Sequence, residues 1–386
     1  MLALKHLLQF DQQQGLLRVQ AGATIEDIIR FSVPRGFFPP VTPGTKFPTL
    51  GGCIAADVHG KNHHADGSIA TFVVELEMVL ADGAQVRCSR DLHPDLFWAT
   101  LGGMGLTGFI YAATLRLKKI SSAFIRQRTI KTANFAETCR LFATTQHQYT
   151  YSVAWIDSLK KGRQLGRGLL MLGEHAPAGD EHNNNPYPLH TASTLDVPFF
   201  FPDFALNTWS MGAFNTLFYH RQLRHSADST FHYNPFFYPL DAIQRWNRIY
   251  GRKGFLQYQI VVPFADGKEI MADVLARIAH RSIASLLTVL KTLGPANEGL
   301  LSFPMDGYTL TLDIPLRDDG IVPFLRELNK TIVDAKGRVY LAKDAILEKE
   351  DFAAMYPKLE QFKRIKRLYD PEHRFRSRQS DRLGIT

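Results

Sequence analysis

A glycine pair followed by three histidines and a lysine marks residues 51–64, GGCIAADVHGKNHH, as a stretch that could carry chemistry. Imidazole and ammonium groups this close together can bind a metal ion, hold a phosphate or accept a proton. Metal binding by His59, His63 and His64 is disfavoured, because no carboxylate stands at a ligand spacing typical of hydrolases and HExxH is absent. We therefore expect no metal. Two interpretations of His59 stay open: a hydrogen-bonded loop residue, or a residue that contacts the substrate.

A second glycine-rich stretch, GGMGLTG, matches the GxGxxG pattern of dinucleotide-binding sites at Gly103, Gly105 and Gly108. That pattern works only where a strand ends and a helix begins, because the free N–H groups of the helix bind pyrophosphate. Here a helical pattern, HPDLFWATLGG, precedes the glycines and a strand pattern, LTGFIYAATLRLKKI, follows them. We therefore reject a nicotinamide site. The turn is either structural or a backbone turn close to a flat cofactor.

The stretch TPGTKFPTLGGCIAADVHG, residues 42–60, combines prolines and glycines into a backbone with few large side chains. Such a surface lets N–H groups approach a planar or phosphorylated ligand closely. The alternative is a glycine-rich connection that has only a structural role. The residue types alone do not identify the ligand.

Composition excludes several classes of protein. The chain has 386 residues, of which 45% are hydrophobic and 21% charged, as in globular proteins of one or two domains. The sequence contains no run of about 18 apolar residues, so it predicts no membrane-spanning helix. The three cysteines, Cys53, Cys88 and Cys139, form no CxxC pair and indicate neither a disulfide framework nor a zinc site.

The formal charge of +8 is concentrated near the end of the chain, in KRIKRL and HRFRSRQSDR. This cluster is either a solvated helix face with a basic tail or a contact for anionic lipid headgroups or a phosphorylated substrate. Nucleic acid is not expected, because no aromatic and basic recognition motif accompanies the charges.

Hydrophobic periodicity predicts one α+β unit up to about residue 120. GLLRVQAG is a strand, and TIEDIIRFSVPRG is a helix that Thr24 caps. TFVVELEMVLADGAQVRC is a hairpin in which Val74, Leu76, Met78 and Leu80 share one face.

Beyond residue 120, irregular sequence over residues 172–235 predicts a long loop that is functional or disordered. Strands are predicted in YTYSVAWID, GFLQYQIVVP, ASLLTVLKTLG, YTLTLDIPL and GRVYLAKDA. Helices are predicted in KEIMADVLARIAHRS and, as one continuous helix, in DFAAMYPKLEQFKRIKRLYDP.

These motifs occur in the same order in one family. Across nearly the whole chain the sequence resembles the flavin-dependent oxidases of the vanillyl-alcohol-oxidase superfamily, above all in HGKNHH and LFWATLGGMGLTGFI. The resemblance implies an α+β fold with a PCMH-type FAD-binding domain, residues 1–122, completed by residues 338–386. It further implies an inserted α+β substrate domain, residues 123–337, containing an antiparallel sheet.

The resemblance also implies the site residues. FAD would contact Pro43, Gly44, Thr45, Thr49, Gly52, Ala56, Ile110, Tyr340, Ala342 and Lys343. The substrate would contact Lys61, Gln257, Gln259, Lys291, Thr309 and Thr311. Thr309 and Thr311 stand where the family usually has asparagine and cysteine, so the pocket is expected to differ there.

The implied reaction oxidises a secondary alcohol of a sugar to a ketone, on a polyprenyl-phosphate-linked pentose of cell-wall biosynthesis. Lys343 would stabilise negative charge on the reduced flavin, and His59 would accept the hydroxyl proton. Lys61 and Lys291 would hold the substrate phosphate, and a short-chain reductase would be the partner enzyme. Two alternatives stay open: an aldonolactone or alditol oxidase acting on a soluble sugar, and a flavin-poor, non-catalytic protein that binds glycan or lipid phosphate.

The resemblance implies one further subdomain. Family members begin with an α/β subdomain whose RGxGRSYGD-like loop binds the FAD pyrophosphate, whereas GLLRVQAG stands near the start of this sequence. We therefore expect residues 1–386, which retain the second subdomain, to bind FAD weakly. The expected location is the cytoplasm or the membrane periphery, or the periplasm if a preceding segment carries an export signal.

Overall fold

The computed structural model describes residues 3–179, 185–190, 195–202 and 205–386. Its strands are β1 (Leu7–Asp11), β2 (Leu16–Gln20), β3 (Phe37–Phe38), β4 (Val73–Val79), β5 (Gln85–Ser89), β6 (Phe109–Arg116), β7 (Lys118–Lys119), β8 (Phe124–Thr132), β9 (Tyr151–Ile156), β10 (Gly168–His175), β11 (Leu195–Asp196), β12 (Ser226–His232), β13 (Ile243–Gln244), β14 (Phe255–Pro263), β15 (Thr288–Leu293), β16 (Gly307–Pro315) and β17 (Arg338–Val339).

The helices are α1 (Ile25–Ser32), α2 (Leu50–Ala55), α3 (His63–Asp66), α4 (Pro94–Thr100), α5 (Phe135–Thr145), α6 (Thr208–His220), α7 (Tyr233–Phe237), α8 (Gly267–His280), α9 (Ile321–Asp334), α10 (Lys349–Met355), α11 (Leu359–Tyr369) and α12 (Arg378–Arg382). Among the described residues, none of the helices has the length and apolar character needed to cross a bilayer.

A five-stranded antiparallel sheet of order β1-β2-β6-β4-β5 forms the first half of the fold. Helices α1, α2 and α4 contribute to its hydrophobic core. Thr24 caps α1 as predicted: its hydroxyl accepts from the Asp27 N–H, and the Asp27 carboxylate accepts from the Thr24 N–H. The expected α+β class is confirmed.

The β4–β5 hairpin forms where predicted, but one face residue was assigned wrongly. The pairing of β4 with β6 shifts register between Val73 and Glu75, which is a β-bulge. The bulge turns Val73 into the core beside Leu76 and Met78, whereas Val74 is only half-buried. Period-two alternation cannot foresee this change, because an extra residue inverts the faces on one side of the bulge.

An eight-stranded antiparallel sheet of order β12-β8-β10-β9-β15-β16-β14-β17 forms the second half. Its central strand β16 alternates strictly. Leu310, Leu312 and Ile314 are fully buried in the core that α5, α8 and α9 share. Thr309 and Thr311 therefore point to the opposite face, which these helices do not cover.

Three predicted elements differ from the structure. Residues 172–235 contain α6 and β12 rather than one long loop, while residues 180–184, 191–194 and 203–204 lie outside the described residues. GRVYLAKDA forms only the short β17, followed by a 3₁₀ turn over Leu341–Lys343. The final helix is two helices, α10 and α11, because Pro357 forces Tyr356 out of the helical region, to φ −122° and ψ 80°.

The predicted domain boundaries fall between elements. The boundary at residues 122 and 123 lies between β7 and β8, and that at residues 337 and 338 lies between α9 and β17. The division into an FAD domain and a substrate domain stays a prediction.

A buried ion pair fastens α11 to the rest of the fold. Lys366 Nζ lies 2.6 Å from Asp370 Oδ2 and donates to the carbonyl oxygens of Leu106 at 3.0 Å and Phe375 at 2.8 Å. Burial alone would raise the pKa of Asp370, but the bonds from Lys366 and from backbone N–H groups hold it below its usual value. Because the ammonium group is fully hydrogen-bonded, the pair ties α11 to the turn before β6 and to the C-terminal segment.

Replacing Lys366 by methionine is expected to lower the free energy of unfolding by about 3–5 kcal/mol at pH 7, since Asp370 would stay buried without its cation. Urea unfolding followed by circular dichroism measures this. The matched control is Lys363→Met, which breaks a partly exposed pair with Glu360 at 2.9 Å and should cost less than about 1 kcal/mol. Equal losses in the two variants would contradict the assignment.

The contribution of the pair should also depend on pH. The pKa of Asp370 is lowered in the folded state, so the stabilisation is present above the ordinary aspartate pKa. It should disappear as the pH falls through the lower, folded-state value.

Candidate active site

The floor of the site is the face of the eight-stranded sheet opposite α8 and α9. In the antiparallel ladder Gln259 pairs with Thr311, and Lys291 pairs with Thr309. Paired residues project from the same side, and so do residues two apart on one strand. The structure thus brings together on three neighbouring strands the predicted substrate residues Gln257, Gln259, Lys291, Thr309 and Thr311.

His59 lies over this floor. Its ring is bounded by Phe303 and Tyr340, each with a centroid distance of 5.7 Å. Gln259 Nε2 is 2.8 Å from His59 Nε2, and Lys291 Nζ is 3.4 Å from His59 Nδ1. His59 therefore contacts the floor through both of its ring nitrogens.

The direction of the hydrogen bonds around His59 is determined from the backbone outward. The Thr309 hydroxyl donates to the Ile260 carbonyl oxygen at 2.8 Å, so its oxygen accepts from Gln259 Nε2 at 3.1 Å. The same amide nitrogen, which can only donate, also faces His59 Nε2. Nε2 therefore accepts, and the proton of the neutral imidazole lies on Nδ1. The contact of Nδ1 with Lys291 Nζ is a hydrogen bond when the Lys291 amine is neutral and accepts.

Burial and nearby positive charge keep His59 neutral at pH 7. Burial lowers the pKa of His59 well below its ordinary value, and Lys291, His63 and Lys343 lower it further. His59 is therefore a weaker base than its unperturbed pKa, near neutrality, suggested from the sequence. His63 itself, the first residue of α3, accepts from the Gly294 N–H at 3.0 Å, so it has a structural hydrogen bond.

Three lysines lie in the site, and burial makes each easier to deprotonate. Lys291 and Lys343 repel positive charge on His59, and Lys61 repels positive charge on Lys291. Burial lowers the pKa of Lys61 to about 7 and that of Lys291 to about 7, where repulsion from Lys343 and Lys61 adds to the effect. Burial lowers the pKa of Lys343 to about 8, against an opposing attraction from Asp313. Within the described ranges none of the three forms an ion pair with a carboxylate. An anionic ligand would supply that charge to the lysine that binds it and raise the pKa of that lysine.

Contacts with α7 and β9 hold Lys61 at one edge of the site. Its ammonium group donates to the Phe236 carbonyl oxygen and lies 4.2 Å from the centroid of the Phe236 ring. The Lys61 carbonyl oxygen in turn accepts from the Ser152 N–H at 2.8 Å. The HGK segment is thereby fixed to β9 and α7.

A flat, uncharged ledge adjoins the floor. Thr49 caps α2 by accepting from the Gly52 N–H at 3.2 Å. A Cβ atom added to Gly44 would meet no atom within 4 Å, so the backbone there is open to a ligand. The predicted FAD residues on this ledge are Pro43, Gly44, Thr45, Thr49, Gly52 and Ala56, and Gly44 and Gly52 are exposed.

Tyr340 joins the ledge to the floor. Its hydroxyl donates to the Ala56 carbonyl oxygen at 2.9 Å, and its N–H donates to the Gln259 carbonyl oxygen at 2.9 Å. Ala342, in the turn after Tyr340, is exposed, as predicted for a residue that meets a ligand. The side chain of Ile110, by contrast, is buried in the core of the five-stranded sheet, so only its backbone is free to approach FAD.

The arrangement fits FAD. The open backbone at Gly44 leaves room for a ligand, and Lys343 stands three residues after Tyr340, at the end of the turn Leu341–Lys343. When bound, FAD supplies an acceptor for two electrons.

Two buried aspartates complete the site and were not predicted as site residues. Asp57, in the left-handed region at φ 41°, accepts from the Ala70 N–H at 3.1 Å, from Asn297 Nδ2 at 2.6 Å and from the Ser302 hydroxyl. It thus ties the segment before His59 to the loop that carries Phe303. Its place among small apolar residues was the only sequence signal.

Asp313 is the second such residue. It follows Thr309 and Thr311 in the alternation of β16, and its carboxylate accepts from Gln257 Nε2 at 2.9 Å and from the Tyr250 hydroxyl at 3.2 Å. Burial raises the pKa of Asp313, although these bonds and Lys343 oppose the shift. Extending the predicted polar face by one step along β16 would have found it.

Replacing Thr309 by valine is expected to release the His59 tautomer, because Gln259 would lose the acceptor that fixes the orientation of its amide. Nitrogen-15 NMR of histidine-labelled protein measures this, since the protonated and unprotonated ring nitrogens differ in chemical shift. The matched control is Thr311→Val, which lies opposite Gln259 but outside the chain of bonds. An unchanged Nδ1–H signature in Thr309→Val would contradict the mechanism, and Thr309→Ser should restore it.

Comparison with known proteins agrees with this geometry. Residues 1–89 match the family model described as an FAD binding domain, and residues 255–383 match that of D-arabinono-1,4-lactone oxidase. The second match spans β14, β15 and β16, which form the floor, and the turn that carries Lys343.

Similarity to individual proteins extends further. Decaprenylphosphoryl-β-D-ribose oxidase of Mycolicibacterium smegmatis is 34% identical over 389 residues, which cover 99% of this chain and 84% of that protein. An uncharacterised protein of Streptomyces coelicolor is 30% identical over 94% of this chain and 100% of its own. Human Δ(24)-sterol reductase is 31% identical over 117 residues, 30% of this chain and 23% of that protein. The chain thus belongs to the FAD-dependent oxidoreductase family of decaprenylphosphoryl-β-D-ribose oxidase.

Proposed function

We propose that this FAD-dependent oxidoreductase oxidises a secondary alcohol of a pentose to a ketone, with the pentose linked to a polyprenyl phosphate. The observation that carries the proposal is a group of cations beside a floor of amides and hydroxyls: Lys291 and Lys343 act on His59, and Lys61 acts on Lys291. A sugar requires neutral hydrogen-bonding groups, and a phosphodiester requires a cation. The printed name of the M. smegmatis relative supports a substrate of this class.

We assign the phosphate to Lys61 and proton transfer to His59 and Lys291. His59 Nε2 carries the lone pair that accepts the proton of the substrate hydroxyl once that hydroxyl displaces the Gln259 amide. The Nδ1 proton of His59 then passes to the neutral amine of Lys291. This relay leaves one added proton on Lys291, whose lowered pKa of about 7 permits both states near neutral pH.

A second function is supported by a separate observation. Residues 255–383 match the D-arabinono-1,4-lactone oxidase family, so oxidation of a soluble aldonolactone is the competing proposal. Both reactions would use the same floor. They differ in whether the substrate carries the anionic group that Lys61 would bind.

The two substrates can be compared directly with an artificial electron acceptor. We expect a short-chain polyprenylphosphoryl pentose to give kcat/KM at least about 100-fold above that of D-arabinono-1,4-lactone, because the phosphate contact adds roughly 3 kcal/mol of binding. Lys61→Gln should lower kcat/KM for the phosphorylated substrate alone. Lys268→Gln, on the exposed face of α8, is the matched control. A higher kcat/KM for the lactone, unaffected by Lys61→Gln, would favour the soluble substrate.

Replacing Lys343 by alanine is expected to slow reduction of the bound cofactor by substrate about a hundredfold or more. Losing one preorganised positive charge at the reacting centre costs on the order of 3 kcal/mol in the barrier. Rapid-mixing absorbance spectroscopy measures the rate, and the FAD content of the purified variant shows whether binding is retained. Lys343→Arg keeps the charge and should recover part of the rate. Near-wild-type reduction by Lys343→Ala would remove Lys343 from the mechanism.

A further inference from the structure

Helix α6 presents an apolar stripe to solvent, while its inner face buries Met211, Asn215 and Tyr219. Trp209 is 89% exposed and Leu217 is 73% exposed, while Leu223, just after the helix, is 90% exposed. Trp209, Ala213 and Leu217 are spaced four residues apart and therefore form one stripe. A helix on a solvent-exposed surface normally directs such apolar side chains toward the core and its polar side chains toward water.

A buried polar network holds the helix in this orientation. Asn215, on the inner face of α6, donates to Asp157 at 2.8 Å, and Asp157 also binds Arg167 at 2.9 Å. The Tyr219 hydroxyl donates to the Thr132 carbonyl oxygen at 3.2 Å. Rotating the stripe inward would break these buried bonds, so the exposure of Trp209 and Leu217 is a property of the folded state.

Positive charge borders the stripe. Residues 205–225 contain no aspartate or glutamate. Arg221 and Arg224 are exposed at the C-terminal end of α6, and the Arg221 guanidinium lies 3.8 Å from the centroid of the Phe218 ring. Asp228, the next acid along the chain, is already paired with Arg128 at 2.8 Å. The surface therefore combines exposed apolar side chains with cations that nearby acids leave available.

The stripe lies on the same side of the eight-stranded sheet as the site. The inner face of α6 packs on Trp155 and Leu169, and Trp155 pairs with Val289, two residues from Lys291 on the same face of β15. Met211 of α6 also packs with Tyr250, whose hydroxyl binds the site residue Asp313.

We propose that the surface formed by Trp209, Ala213, Leu217, Arg221, Leu223 and Arg224 docks onto an anionic phospholipid bilayer. Tryptophan and leucine insert at the interface between headgroups and acyl chains, and arginines bind the anionic headgroups. This goes beyond the proposed reaction, since a bilayer contact requires no particular substrate. It also differs from the contact predicted at the basic C-terminal segment, where Lys366 is buried against Asp370 and Arg382 binds Asp344 at 2.6 Å.

The test is co-sedimentation of the full chain with vesicles of phosphatidylglycerol and phosphatidylcholine, compared with phosphatidylcholine alone. We expect the protein to bind the anionic vesicles. Salt at roughly 0.5 M should weaken this binding, because it screens the attraction between the arginines and the headgroups while the apolar contact remains. Trp209→Ser/Leu217→Ser should lower the bound fraction at least about fivefold, and Arg221→Gln/Arg224→Gln should do the same on anionic vesicles only. The fluorescence of wild-type protein should shift to shorter wavelength on binding, because Trp209 is exposed in solution.

Matched control variants lie on α11. Leu368→Ser removes an exposed leucine, and Arg364→Gln/Arg367→Gln removes two exposed arginines from the basic C-terminal segment. These controls should bind like wild type. Loss of binding in the α11 variants but not in the α6 variants would overturn the proposal. So would a vesicle-independent dimer that Trp209→Ser/Leu217→Ser abolishes, because the surface would then join two copies of the chain.

Discussion

The two-residue period of β14, β15 and β16 is the constraint on which the site depends. One side of these strands is mainly apolar, packed against α8 and α9, and cannot turn over without exposing that core. The other side is thereby obliged to carry Gln259, Lys291 and Thr309 in register. The hydrophobic effect thus positions polar chemistry, because burying one face of a strand fixes the direction of the other.

Hydrogen-bond direction extends this constraint from the backbone to the reacting groups. The Ile260 carbonyl oxygen orients the Thr309 hydroxyl, and each later donor in this series of hydrogen bonds then has one acceptor left. The series ends at His59 Nε2, which must act as an acceptor. Lys291 and Lys343, which are half-buried and have lowered pKa values, act on the ring, so its neutral form and the hydrogen-bond directions agree. Neither the low pKa of His59 nor the acceptor role of its Nε2 requires an acidic partner.

Helix α6 shows the same principle with the faces exchanged. Its inner face, which also buries Met211, is fixed by the buried group of Asn215, Asp157 and Arg167, so Trp209 and Leu217 face outward. A buried, hydrogen-bonded polar network is costly to rearrange, which makes the outward face a stable feature. The site and the exposed stripe thus lie on the same side of the eight-stranded sheet, and in both cases the packing of one face determines what the other face presents.

The sequence by itself determined the α+β class and most strands of both sheets, because periodicity, capping and turn residues act over a few residues. The resemblance of its motifs to a known family indicated FAD and implied the predicted floor residues. Tertiary structure decided the rest. The bulge at Val73 and the break at Pro357 changed local predictions, since register and chain direction depend on distant partners. Asp57 became a site residue only when Asn297 was brought to it from 240 residues away along the chain. The alternation of β16 indicates the face on which Asp313 lies, but its bond with Tyr250, 63 residues away, required the fold. The low pKa of His59 likewise arises from burial and from charges on other elements, which no local pattern contains.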